Sequence, residues 1–498
     1  MSETLLGNIY VPSKFAAGYD GASHNRKRVR SARVTSRAQD EDRLLGRYDR
    51  ETLRLECINL RRNHAVVAGA CERFADNVVG PEGITPQAKT SSPEWNDAAE
   101  ELWAEWSKIV DYAGRSSMRE IQRLAIQSRI HSGEVGFVLL ANGQLQAIES
   151  ERIETPEYET KSGNVIDGVR VSPQSGRPVG YYVCNRGDGG YVDKRDATEV
   201  NARDFIHVYC PLRFDQLRGT PSLSPVINTL VYHGDLTESV LRKARINAKR
   251  SAVISTQAGS STTKQLGPRN VTAATDDSGN VYEDFGEDML TYYLRQGESV
   301  NVIGDDAPGA NYIDHNVLLL KLVGAALSIP YQFLVMDFGD GSLGSNRVAL
   351  LQTYRTFENW QQWLIDRFLQ RLWNWRIAKA IKAGELPPAP VDARGFSEWY
   401  KVAWVGPEFS WIDPQKEAAA NLAEFKLGIS SITSFARKRG KDGEDVMREK
   451  AKDIATAQRI AGEVNATEGT QLTWRDIIDI AQPGQTAPSS DPQPGSLP

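Results

Sequence analysis

Gly339, Gly341 and Gly344 stand in the spacing G-x-G-x-x-G within YQFLVMDFGDGSLGSNRVALL, residues 331–351. An apolar run precedes them and a helical pattern follows. Strand, glycine turn and helix in that order form a cradle in which backbone N–H groups hold a pyrophosphate, so the chemistry suggested is dinucleotide binding. That reading fails on context. A true fingerprint lies inside a βαβ unit, with an acidic residue about 20 positions on at the end of the second strand to hold the ribose. Glu358 has the spacing but falls in a Trp-rich segment whose helical pattern runs past it. Pro330 and the helical pattern before it leave little room for a buried parallel strand.

Other reactive constellations are thin. The chain has no Walker lysine motif, no G-x-S-x-G elbow and no H-E-x-x-H. The six histidines (His24, His64, His131, His207, His233, His315) are isolated and read as structural. Asp337 with Asp340, and Asp305 with Asp306, have the chemistry of a cation site but read as solvated loop carboxylates. The expectation is a protein without catalytic residues, cofactor or metal.

Composition sets the remaining bounds. A chain of 498 residues, 40% hydrophobic and 25% charged, has room for two to four domains with sizeable cores. No apolar run reaches membrane-spanning length, and residues 1–15 do not read as a signal peptide. Cys57, Cys71, Cys184 and Cys210 lack metal-ligand or disulfide-framework spacing, which fits a reducing cytosol. The net charge of −5 argues against a dedicated DNA-gripping domain, so nucleic-acid contact is expected to be local or loose.

The pattern along the chain is α+β. Residues 20–50 form a polar arm carrying NRKRVRSARVTSR, either a basic nucleic-acid arm or a solvated one. Residues 53–79 read as one helix. A second follows in SSPEWNDAAEELWAEWSKIV, with a capping box from Ser91 and Glu94 and an apolar stripe of Trp95, Leu102, Trp106 and Ile109. Residues 134–210 turn to strands. There Asn142-Gly143 marks a hairpin whose two central residues must tolerate positive φ. A long helix is expected over 224–255, another over 312–327, and a third of about 58 Å over 345–383. A helical module follows from 414, N-capped by Asp413 and ended by Gly428 in the left-handed conformation. The tail QPGQTAPSSDPQPGSLP is expected to be disordered.

Several segments together resemble the portal proteins of tailed bacteriophages, of the lambda type. They are LRRNHAVVAGACERFADNVVGPEGITPQ (60–87), HSGEVGFVLL (131–140), IESERIETP (148–156) and DFIHVYCPLRFDQLRGTPSLSPVI (204–227). The others are LLLKLVGAALSIPYQFLVMDFGDGSLGSNRVALL (318–351) and WIDPQKEAAANLAEFKLGISSITSFARKRGKDGEDV (411–446). Each motif is short, but their order and spacing cover residues 20–460. The loop FGDGSLGSNR departs from the shorter Asn/Tyr/Ser stretch of many relatives.

The resemblance implies a portal fold with an α/β wing, long stem helices, a small clip and a helical crown. About twelve subunits would form a ring in the virion, at one capsid vertex, assembled in the host cytoplasm. Double-stranded DNA passes through such a ring. Its partners are the terminase large subunit, major capsid protein, scaffold and head-completion or tail adaptor proteins, with no membrane. Carried onto this sequence, the arm is 1–50, the wing 51–223, a stem helix 224–255, the clip 256–311 and a second stem helix 312–330. Residues 331–410 hold a tunnel loop, the long helix and the wing return. The crown is 411–470 and the tail 471–498.

Two groups of residues are candidates for meeting DNA. The loop with Asp337, Gly339, Asp340, Gly341, Gly344 and Ser345 reads as a mobile channel loop. Its glycines permit unusual φ, its carboxylates repel phosphate, and Ser345 caps the helix that follows. A plain surface turn is the alternative. Arg242, Lys243, Arg245, Lys249 and Arg250 read either as a positive ring in the stem or as a solvated, salt-bridged helix face.

Overall fold

The computed structural model describes residues 45–159, 163–255, 274–275, 281–284, 290–294, 310–339, 343–407, 414–438, 443–468, 471 and 473–477. The basic arm, most of the clip and the tail, along with Asp340, Gly341 and Asp413, lie outside them. The chain divides into two compact units, Met1–Gly83 with Ala88–Val402 and Ile84–Gln87 with Ala403–Pro498.

In the first unit, α1 (Arg47–Asn63) and α2 (Ala65–Val79) replace the single helix expected over 53–79. His64 breaks it with an extended backbone, φ −110° and ψ 110°. Helix α2 buries Val67, Ala70, Cys71, Phe74, Ala75, Val78 and Val79, then stops at Gly80, whose φ is 72°. Strand β1 (Thr85–Ala88) leads to α3 (Pro93–Lys108). The cap of α3 is Ser92, which accepts from the Trp95 amide at 3.3 Å, and not Ser91. Ser91 instead donates its N–H to the Glu398 carboxylate at 2.7 Å. Helix α3 buries Trp95, Trp103 and Trp106. Ser117 and Glu120 close a capping box at the start of α4 (Met118–His131).

The hairpin of β2 (Glu134–Leu139) and β3 (Leu145–Glu149) forms as expected, with a different turn. Leu140 N–H donates to Gln144 C=O, enclosing a three-residue loop in which Gly143 alone takes positive φ, 92°. A type I turn followed by one left-handed residue needs glycine only at that last position. Strands β4 (Val165–Ile166), β5 (Val169–Val171), β6 (Pro178–Arg186) and β7 (Val192–Asn201) form an antiparallel meander. Strand β8 (Phe205–Tyr209) returns to pair with β2, giving the order β3-β2-β8. Ile148, Ile153, Val169, Tyr181, Val183 and Phe205 form the core shared by the two sheets.

A short 3-10 turn, Ser224–Val226, opens into α5 (Ile227–Lys249). The helix expected to reach Ser255 ends six residues earlier, and Arg250–Ser255 is strand β9. This strand pairs in parallel with β12 (Leu290–Leu294), beyond β10 (Ala274–Thr275) and β11 (Val281–Asp284), in the order β10-β11-β12-β9. Helix α6 (Ala310–Leu327) ends at Ser328, a left-handed residue with φ 57°. Tyr331–Val335, the apolar run ahead of the glycines, is a short helix, α7, and not a strand. The long helix is α8 (Leu343–Leu364), a π-helical turn Ile365–Leu369, and α9 (Gln370–Ala383), ended by left-handed Gly384.

The second unit pairs β1 with β13 (Val402–Val405) and continues as α10 (Pro414–Lys426), α11 (Ile432–Lys438) and α12 (Gly443–Glu468). Gly428 is left-handed after α10, φ 72°. The chain is mixed α and β, as the sequence pattern leads one to expect.

Candidate functional site

Most of the short motifs between residues 132 and 219 meet at one buried carboxylate. Glu134 opens β2 with its side chain wholly buried. Arg218 Nε lies 2.9 and 3.1 Å from its two oxygens, and Arg218 Nη2 also donates to it. His207 Nε2 at 2.9 Å, Ser150 Oγ at 2.7 Å and the Gly219 amide at 2.7 Å supply the other donors. Because a carboxylate only accepts, the proton of neutral His207 sits on Nε2. Arg218 Nη1 reaches the Ile153 carbonyl at 2.7 Å, and Nη2 the Ser150 carbonyl at 3.1 Å. Arg54 joins through Ser150 Oγ at 3.1 Å, and Arg50 pairs with Asp167.

Burial alone would raise the Glu134 pKa. The Arg218 charge and the bonds from His207 and Arg218 outweigh it and hold Glu134 well below the usual carboxylate range. Burial pushes His207 down despite the pull of Glu134, so its imidazole is neutral. Burial also opposes the Arg218 charge, but Glu134 more than offsets it. A carboxylate saturated with donors cannot act as a base. The arrangement is a joint.

The glycines of SGE and RG make the joint possible. A Cβ on Gly133, where φ is 85°, would lie 2.5 Å from the Thr220 carbonyl carbon. One on Gly219 would lie 2.3 Å from the Gly133 oxygen. The two backbones touch, and neither position admits a side chain without a shift. Gln216, almost fully buried, braces the preceding loop: its side-chain oxygen accepts from Leu212 N–H at 2.6 Å and its amide donates to Arg218 C=O at 2.7 Å. The segment leaving the joint runs into α5.

The long helix is fixed to the same sheet. Arg129 lies against the ring of Trp360, 3.7 Å from its centroid, and of Trp363, 4.4 Å. Trp363 Nε1 donates to Tyr209 C=O at 3.2 Å. The π-helical turn turns Phe368 to stack on Phe137, centroids 4.4 Å apart. The first turns of α8 are different: Val348 and Leu351 are exposed.

Of the candidate loop, Asp337, Gly339, Gly344 and Ser345 are described. Met336 carries the left-handed backbone, φ 60°, whereas Gly339 and Gly344 do not adopt positive φ. Asp337 Oδ1 accepts from the Gly339 amide at 3.2 Å. Helix α8 begins at Leu343, so Ser345 lies inside the first turn instead of capping it. Asn346 Nδ2 ties the loop to the helix by donating to Phe338 C=O at 3.2 Å. Among the basic candidates, Arg242, Lys243 and Arg245 are exposed on α5, and Arg242 pairs with Glu238 one turn earlier at 2.7 Å. Lys249 ends α5 and Arg250 opens β9. Among the described residues, neither the loop nor the basic group joins the buried carboxylate in one site.

The family model for phage portal protein, lambda family, matches residues 25–361, which include the joint, α5, α6 and nearly all of α8. The chain belongs to the lambda family of phage portal proteins. Portal proteins are structural virion components at the capsid vertex, and that is the place of this chain. It is 23% identical over 482 residues to the probable portal protein of Halomonas phage phiHAP-1, covering 91% of this chain and 90% of that one. It is 22% identical over 509 residues to portal protein B of Escherichia phage lambda, covering 92% and 93%. A solved neck of an empty GTA particle, computed with C6 symmetry, aligns over 77% of this chain and 92% of that one, at 14% identity and a TM-score of 0.45. No helix among the described residues of this portal protein is long and apolar enough to cross a membrane.

The sequence displayed the motif residues of the portal joint, Gly133, Glu134, His207, Arg218 and Gly219, without showing that they converge. Ser150 stood within the IESERIETP motif, whereas Arg54 and Asp167 were missed. No local pattern around Arg54 or Asp167 signalled a buried partner.

Proposed function

We propose that the chain forms the DNA channel of a phage head: a closed ring of about twelve copies through which double-stranded DNA is packaged and later ejected. The observation that carries this reading is the distribution of exposed apolar side chains in a member of the portal family. Tyr232 and Leu241 on α5, Ile313, Leu318 and Leu322 on α6, and Val348 and Leu351 on α8 are all exposed. Isolated exposed apolar residues are ordinary, but a series of them on the helices assigned to the stem and channel suits side-by-side packing of copies. The low net basicity fits a conduit that does not grip, since each phosphate neutralised by Lys or Arg strengthens binding.

On this reading the loop 337–345 faces DNA and the clip, 256–311, receives the terminase large subunit during packaging and head-completion or tail adaptor proteins afterwards. Major capsid protein and scaffold surround the ring. ATP is consumed by terminase, and the portal protein has no catalytic role. Electron microscopy down the particle axis, with native mass spectrometry for copy number, tests the ring. A strict monomer or dimer under all conditions defeats it. Loss of terminase pull-down by clip variants that still form rings separates a portal from another ring-forming head-tail adaptor.

A further inference from the structure

His64 and His233 meet away from the joint. His64 is the extended residue between α1 and α2, and His233 lies in the second turn of α5. His64 Nε2 and His233 Nδ1 are 3.2 Å apart, with ring centroids at 5.1 Å and planes inclined by 50°. We propose that this pair is a binding site for a divalent transition-metal ion of the zinc, nickel or copper type, clipping the α1–α2 break to the stem helix.

The geometry suits two adjacent ligands. An ion about 2.0–2.1 Å from each imidazole nitrogen, with those nitrogens at their present separation, subtends an angle of roughly 100°. That is close to tetrahedral, and reaching it asks only for small ring rotations. Two facing nitrogens can share one proton at most, because two imidazolium rings would repel. Burial disfavours the charged form of both rings, and His233 also discourages protonation of His64, so both rings favour the neutral form that a metal binds. Imidazole favours zinc, nickel and copper, whereas magnesium and calcium seek oxygen ligands.

The site is open. No group of three or more His, Cys, Asp or Glu positioned for a metal occurs among the described residues, so water completes the coordination. His64 Nδ1 is buried without a hydrogen-bond partner among them, so no second contact fixes the ring as in a high-affinity site. The affinity is therefore modest, and the ion is exchangeable. Its effect is mechanical: it adds a coordinate link between the α1–α2 break and α5, next to the place where α1 and α5 pack directly.

The experiment uses the full chain, stripped with chelator and titrated calorimetrically with Zn2+ and Ni2+, with Mg2+ as control. One ion per chain is expected, in the micromolar range, with a rise in Tm that Mg2+ does not give. His64→Gln and His233→Gln preserve bulk and hydrogen bonding, and each should weaken the binding by at least about tenfold. Cu2+ bound to the unaltered chain should show hyperfine coupling to two nitrogens by electron paramagnetic resonance, a reading independent of how either variant folds. Absence of one-per-chain uptake, uptake unchanged in both variants, or coupling to fewer than two nitrogens overturns the site. None of these outcomes depends on whether the chain forms a ring.

Discussion

The sheet of β3, β2 and β8 buries charge, while helices α5, α6 and α8, the proposed stem and channel helices, leave hydrophobic side chains uncovered. In the wing, Glu134, His207 and Arg218 are nearly inaccessible, and five donor groups converge on one carboxylate. On the stem, Ile313, Leu318 and Leu322 stand exposed on α6. A buried ion pair adds little net stability over an apolar substitute but penalises every arrangement that leaves one charge alone. The joint thus specifies how β2, β8 and the segment entering α5 fit together. Helices α5, α6 and α8 leave apolar side chains exposed, which the proposed ring would cover. One region is finished within the chain, and on the proposed reading the other is finished on assembly.

The contrast breaks most sharply at Glu134. Glu134→Ala leaves Arg218 charged and buried, which costs about 3–5 kcal/mol. Chemical denaturation should show that loss, with expression falling alongside. The double change Glu134→Leu with Arg218→Met removes both charges and should recover much of it. If the single variant were as stable as the parent, the joint would not hold the wing. Gly133→Ala comes next, at about 1–3 kcal/mol, because both its positive φ and the Thr220 backbone oppose a methyl group. Equilibrium unfolding would measure it, and an effect near zero would mean that the two backbones part easily.

Acid should weaken the wing through His207. Its folded pKa lies below the unfolded value, so between the two the unfolded chain binds more protons and stability rises with pH. The contribution is complete above about pH 6.5 and is lost as pH falls from there toward the folded pKa. His131, buried and pushed down to about 4, adds in the same direction. His207→Gln still donates to Glu134 and should flatten the slope of unfolding free energy against pH just below 6.5. An unchanged slope would mean that the imidazole titrates as it does in water.

The stem should respond in the opposite sense. Leu318→Ser with Leu322→Ser removes exposed apolar surface, so unfolding of the isolated chain should change by less than about 0.5 kcal/mol per site. Ring yield should nonetheless fall, as read by native mass spectrometry or sedimentation. Rings at full yield would show that this face of α6 is not between copies.

How much of this was legible depended on where the determining contacts lie. The hairpin and the stop at Gly428 follow from local chemistry and were readable; of the expected stripe on α3, Trp95 and Trp106 are buried, but Trp103 is buried in place of Leu102, and Ile109, beyond the helix end, is exposed. The break at His64 was not, because no glycine or proline marks it and its partner His233 is 169 residues away. Strand β9 was missed for the same kind of reason: SAVIS continues a helical pattern acceptably, and only parallel pairing with β12 makes it a strand. The joint was visible as scattered motifs, since convergence is a property of the fold. The G-x-G-x-x-G spacing suggested a phosphate cradle that its context already excluded, and the short helix α7 ahead of the loop agrees with that exclusion.

The smallest effect tests that loop. A Cβ on Gly344 meets nothing within 4 Å, and the residue is the second of α8 without positive φ. Gly344→Ala should therefore leave stability unchanged or raise it by up to about 1 kcal/mol, the helical preference of alanine over glycine. The fold gives no reason for glycine there, so a reason must come from motion or from what passes the loop. If the loop slides along DNA, the variant should form normal rings and proheads yet package less DNA, as measured by filled-head counts. Normal packaging would reduce residues 337–345 to a surface turn. Loss of stability would place an unseen contact at Gly344 and remove the basis for reading its glycine as functional.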